Sequence, residues 1–201
     1  MKRSTERILT THVGSLIRPA ELLAAGEAAR TGDAQSQASY AAMLQSATAE
    51  VVKKQTEAGI DIVNDGEYGK SSWAAYVLDR MTGWERRPDQ LRPVEWMGRD
   101  MDRFREAILQ EMPSAVEGRP TEACIGAITY TGAGAIERDC ENLKAALAGN
   151  DVAEAFITAV APASTAYDGV DEHYQNEHAY IYAIAEALGK EYADIHAAGV
   201  L

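Results

Sequence analysis

The chain has 201 residues, 46% hydrophobic and 25% charged, with a formal net charge of -12. That is enough for one domain with a sizeable core, and with no basic stripe in the sequence no binding to a nucleic-acid backbone is expected. No apolar run is long enough to cross a bilayer. No apolar signal segment follows "MKRSTER", and Cys124 and Cys140 make neither a disulfide framework nor a CxxC site, so a cytoplasmic location is expected.

In chain order, "RILTTHV" (7–13) is β-branched and apolar and ends at Gly14-Ser15, which predicts a strand entering a loop. "RPAELLAAGEAA" predicts a short helix with Pro19 near its start. From about 38 to 58, Tyr40, Met43, Leu44, Ala47, Val51 and Val52 recur at helical spacing, with Gly59 placed to close the helix. "IDIVND" (within 60–64 and just beyond) is the second predicted strand, and "GEYGKSS" its loop.

Residues 83–96 carry two prolines and two tryptophans among mixed charges and read as an insertion or a long loop. Met101, Phe104, Ile108 and Met112 mark a helix. A third strand is predicted at 123–130 and a fourth at 156–161, separated by a helix. Tyr180, Ile184, Leu188 and Ile195 give a last amphipathic helix. Gly199 ends it, and Val200-Leu201 begin a fifth strand.

Strands alternating with helices imply βα units and a parallel sheet. In such a sheet ligands bind at the carboxyl ends of the strands, where the polar loops "GS", "DGEYGK", "TYTG" and "APAS" lie. A doubly wound open sheet is the alternative to a barrel, but the sequence has neither GxGxxG nor GxxxxGK[ST].

The candidate ligand residues follow from these loops. Ser15, just after Gly14, could bind a carboxylate or sulfonate through its hydroxyl and neighbouring N–H groups, or serve as a turn residue. His12 ends the same strand and is either structural or in touch with ligand. Glu67 could hold an amine or sit near a metal, or cap the next helix. Asp65 could orient that loop. Tyr130 could line a pocket at the end of the third strand. Cys124 alternates with apolar neighbours and reads as an inert core thiol. No nucleophile–base pair can be read from spacing, so no catalytic residue is assigned.

Five stretches, "ILTTHVGSLIRP", "AGIDIVNDGEYGK", "CIGAITYTG", "AFITAVAPAS" and "EALGKEYADIHAAG", span nearly the whole chain. Together and in this order they resemble the catalytic barrel of the cobalamin-independent methionine synthase family. The resemblance is nearest to the stand-alone branch that includes epoxyalkane:coenzyme M transferases. It implies a TIM (β/α)8 barrel and a zinc ion that activates a thiol to take a methyl group from a folate, or carbon from an epoxide. It matches Val13, Gly14 and Ser15 to the segment holding the acid group of the thiol substrate, homocysteine in methionine biosynthesis. It matches Glu67 to the glutamate at the substrate's amino end. Near Ala123 and Cys124 the family has a folate-contacting Arg-Cys pair, and the Arg is absent here.

The family's zinc ligands, a His-x-Cys, a Glu and a further Cys, come after the point matched by Leu201. The resemblance therefore implies the N-terminal half of a barrel: about four βα units, with an insertion near 83–120, and no zinc held by this chain alone. The expected partners are a small thiol and a complementary C-terminal half or a second copy. The rival reading is a non-catalytic truncated remnant or assembly module.

Overall fold

The computed structural model describes residues 2–72, 75–92 and 118–201, and also 103, 104, 106, 107 and 110. It is a mixed α/β protein of helices and two small sheets. Among the described residues no helix is long and apolar enough to cross a membrane.

Helix α1 (Ala20–Thr31) begins after Pro19 and buries Leu22. Helix α2 (Ala34–Glu57) starts four residues earlier than its apolar spacing suggests, because Asp33 accepts a hydrogen bond from the Ser36 N–H at 3.0 Å and caps it. At its other end Gly59 has φ +81, and the Ile60 N–H reaches back to the Gln55 carbonyl at 3.0 Å. This closing turn needs a left-handed residue, which glycine supplies without steric cost. It aims the chain into strand β1 (Ile62–Asn64).

A 3₁₀ helix (Ala75–Arg80) follows, then β2 (Trp84–Arg92) and β3 (Arg119–Cys124). Helix α3 (Ala133–Leu147), β4 (Glu154–Phe156), α4 (Pro162–Asp168), β5 (Gly169–Asp171) and α5 (Glu177–Ala197) complete the order. Helix α5 ends as α2 does: Gly199 has φ +76, and the Val200 N–H bonds the Ile195 carbonyl at 3.4 Å.

The first sheet is parallel. Strand β1 pairs with β4, Val63 opposite Ala155. Thr11 forms a parallel bridge to Ile62 on one side. On the other, the Leu201 N–H bonds the Ala155 carbonyl at 3.3 Å and the Ile157 N–H bonds the Leu201 carbonyl at 2.8 Å. The ladder thus runs through residues 11, 62–64, 154–156 and 201. One face packs on α2, α3 and α5 in a core of Val52, Val63, Ile136, Leu143, Ile157 and Ile195.

The structure departs from the sequence expectation in how the strands are counted. Residues 123–130 do not lie between the second and fourth predicted strands. Only Arg119–Cys124 is extended, and it belongs to the second sheet, antiparallel to β2 and parallel to β5. The extension stops where the Ile125 and Gly126 N–H groups both turn to the Gly83 carbonyl. The parallel ladder therefore holds two strands, β1 and β4, with single-residue contacts at Thr11 and Leu201, where four strands and the start of a fifth were expected; of the strand expected at 7–13 only the Thr11 bridge forms.

The expected long loop at 83–96 is a strand through Arg92. Pro88 misled the reading. Here it lies at a register shift between Arg87 and Leu91 in an edge strand, where a missing N–H is tolerated. Pro162 opens α4 at its first position, where the missing donor is not needed. Of the helix expected around 101–112, residues 103, 104, 106, 107 and 110 are helical, while Met101, Ile108 and Met112 lie outside the described residues.

Candidate functional site

Ser15 and Glu67 meet beyond the Thr11 bridge and the carboxyl end of β1. The Ser15 hydroxyl donates to Glu67 Oε2, and the Thr158 hydroxyl, just beyond β4, donates to Oε1 at 2.8 Å. Strand order places these groups: three neighbouring parallel segments each deliver one polar side chain to the same end. Ser15 is exposed, whereas Glu67 is 3% exposed.

The loop holding Glu67 is tightly tied. Gly66 and Glu67 have φ +67 and +59, two left-handed residues in succession. For glutamate that conformation costs about 1 kcal/mol or more. Three bonds hold it: the Glu67 N–H to Asp65 Oδ1 at 3.0 Å, the Gly66 N–H to Asn64 Oδ1 at 2.8 Å, and Arg18 Nη2 to the Glu67 carbonyl at 2.6 Å. The Leu16 N–H donates to the Gly66 carbonyl at 3.1 Å, pinning the Ser15 loop beside the Glu67 loop. Burial raises the Asp65 carboxyl above its ordinary range.

Lys70 closes the group. Its ammonium donates to the Thr158 carbonyl and, at 2.9 Å, to the Thr158 hydroxyl. It lies 4.7 Å from the centre of the Tyr76 ring and is 4% exposed. Burial lowers its pKa, against the opposing pull of Asp65 and Glu67.

The other expected site residues are distributed differently. The His12 ring faces α2, with Nε2 3.0 Å from Gln55 Oε1, and its carbonyl accepts from Asn64 Nδ2 at 3.3 Å. Val13 is 82% exposed. Gly14 has φ +99 and turns the chain toward Ser15. Tyr130 stands apart from Ser15 and Glu67, and its hydroxyl donates to Glu191 Oε2 at 3.0 Å. That carboxylate also accepts from Tyr76 at 2.7 Å and pairs with Arg80 at 3.2 Å, and Arg80 pairs with Asp139 at 2.7 Å.

Thr158, Lys70 and Arg18 were missed in the sequence. Lys70 and Arg18 stand within the quoted motifs, and Thr158 lies in "AFITAVAPAS", but only the parallel register reveals that they converge. A cleft of about 580 Å³ lies nearby, lined by Arg18, Tyr40, Tyr68, Lys70, Tyr76 and Arg80 among others. Neither Ser15 nor Glu67 lines it.

The residues described do not fit a zinc ion. Among them, no three His, Cys, Asp or Glu side chains are grouped to hold a metal. Cys124 and Cys140 are both buried, in β3 and α3, and burial pushes the Cys140 thiol up to about 11.

No protein family model matches the sequence. No curated protein matches it either. Solved structures do. A B12-independent methionine synthase from Shewanella sp. W3-18-1, in complex with selenomethionine, aligns at TM-score 0.59 and 19% identity, over 78% of this chain and 39% of its own. A Listeria monocytogenes protein assigned as a vitamin-B12-independent methionine synthase aligns at TM-score 0.62 and 22% identity, over 97% of this chain and 51% of its own. The likeness at these identities is one of fold, and this chain spans about half or less of either protein's length.

Proposed function

We propose that this chain forms the thiol-binding part of a methyl- or alkyltransferase built on a (β/α)8 barrel. The fold shared with parts of two B12-independent methionine synthases supports the reading. The observation that carries it is the Ser15–Glu67–Thr158 convergence at the carboxyl ends of parallel strands. In this reading backbone N–H groups of the 13–15 turn take the acid group of the substrate, while the Ser15 hydroxyl stays on Glu67. Glu67 takes its ammonium.

A ligand with both groups, such as homocysteine, uses the whole site. A sulfonate thiol with no amine, paired with an epoxide, uses only the Ser15 side. Thiol activation falls outside the described residues, and we assign it to a complementary C-terminal half that completes the barrel. His12 and Tyr130 act here as supports, through Gln55 and Glu191.

The test is a ¹⁵N NMR titration of the chain with L-homocysteine and, separately, with a sulfonate thiol. Shifts at residues 13–15 and 66–67 with homocysteine support the reading. Shifts at 13–15 alone, with the sulfonate thiol only, select the epoxide branch. No shift at either loop contradicts both.

An assembly module is the second reading. It is favoured by Ile8, Val13 and Ile17, which are 84%, 82% and 95% exposed along the N-terminal segment. Sedimentation showing a stable dimer with no thiol binding would select it.

A further inference from the structure

Lys70 has no counterpart among the expected site residues, yet it ends one arm of the Glu67 network. A lysine ammonium can only donate hydrogen bonds, whereas a hydroxyl both donates and accepts. Lys70 Nζ lies 2.9 Å from Thr158 Oγ1, and Thr158 Oγ1 lies 2.8 Å from Glu67 Oε1. The direction of the relay follows: Lys70 occupies an acceptor lone pair of the hydroxyl, so the hydroxyl proton points at Glu67. On the other side the Ser15 hydroxyl donates to Oε2. With both oxygens held, the carboxylate is fixed in rotation and keeps unused lone pairs for an incoming ammonium.

We propose that Lys70 is a positioning residue which, through the Thr158 hydroxyl, aims the Glu67 carboxylate at the amino end of a thiol ligand. The inference rests on the substrate-binding reading above. The groups that face Lys70 are Asp65 and Glu67 on its own loop, Tyr76 and Arg80 on the 3₁₀ helix, Asp139 on α3 and Thr158 after β4. The tie from Lys70 to the Glu67 carboxylate runs through the Thr158 hydroxyl.

The experiment is calorimetric titration of L-homocysteine into the full chain and its Lys70→Met, Thr158→Val and Thr158→Ser variants across pH 6–9. Met and Val keep volume but cannot relay a proton, whereas Ser keeps the hydroxyl. Loss of affinity by about tenfold or more is expected for Lys70→Met and Thr158→Val, with the pH profile altered. Thr158→Ser should stay within about twofold of the natural chain, consistent with the ~1.4 kcal/mol per tenfold scale.

If Lys70→Met does not fold, the Thr158 pair decides alone. Equal affinity for Thr158→Val and the natural chain overturns the relay and leaves the substrate-binding reading standing. No binding by the natural chain overturns that reading. A measurement without ligand then separates the two. The Lys70 ammonium midpoint, followed by ¹⁵N NMR, should fall by about half a pH unit or more in Glu67→Gln, because a favourable charge is lost. An unchanged midpoint overturns the coupling whether or not homocysteine binds.

Discussion

The Ser15 hydroxyl donates to the Glu67 carboxylate across 52 residues of sequence. Ser15 is exposed and Glu67 buried, so the bond matters more to the carboxylate's orientation than to folding. Ser15→Ala should cost stability no more than about 1 kcal/mol. It should weaken homocysteine binding about tenfold, roughly 1.4 kcal/mol. Urea unfolding and calorimetry on the same variant separate the two effects.

Arg80 joins two helices from within. It is 6% exposed and pairs with Asp139 on α3 and Glu191 on α5. Removing it leaves the buried Glu191 carboxylate without its Arg80 partner, although Arg138 still pairs with Asp139 at 2.8 Å, and breaking such a buried pair costs about 3–5 kcal/mol. Arg80→Ala should lower the unfolding midpoint sharply or abolish the folded state. Arg87 pairs with Glu172 and Glu85 at the surface, and Arg87→Ala should leave the melt nearly unchanged.

The segment leading to the Thr11 bridge is tied down by an acid. Arg7 pairs with Asp61, and the Thr10 N–H donates to Asp61 Oδ2 at 2.8 Å. The hydrogen bond from Arg7, followed by that from Thr10, holds the Asp61 carboxyl well below its usual range. A depressed folded-state pKa gives a contribution present above the unfolded value, about 3.9, and lost as pH falls through the folded value. Amide exchange at Thr10 should therefore accelerate as pH falls below about 4, relative to a core amide such as Val63, after correction for intrinsic exchange.

Both thiols should be silent in the folded chain. Cys124 is fully buried and Cys140 is 2% exposed, with its thiol pushed up to about 11, chiefly by burial. At pH 8 a thiol reagent should label neither at a useful rate, and both should react in denaturing urea. Fast labelling of the native protein would show that α3 or β3 opens readily.

How much was legible in the sequence differs by element. Helices α2 and α5 were readable because apolar spacing and a closing glycine agree, and both glycines have positive φ, whereas the Asp33 and Asn176 caps were not read. Ile62–Asn64 was readable as a strand because a short β-branched apolar run follows the closing glycine. The 123–130 segment failed because alternation shows extension without showing the partner. Its N-terminal part pairs with β2, a charged edge strand that its proline disguised. Likewise Ser15 and Glu67 could be named from their loops, but Thr158 and Lys70 could not. Their convergence is a property of strand register, which no local pattern encodes.

The most direct measurement is the binding of L-homocysteine to the natural chain and to Glu67→Gln, by calorimetry near pH 7.5. Gln preserves shape and most hydrogen bonding but removes the charge that would hold an ammonium. The expected result is a saturable 1:1 heat for the natural chain and a loss of about tenfold or more in affinity for the variant, each with an intact melt. Equal binding by both, or none by the natural chain, would contradict the placement of a thiol amino acid at Ser15 and Glu67.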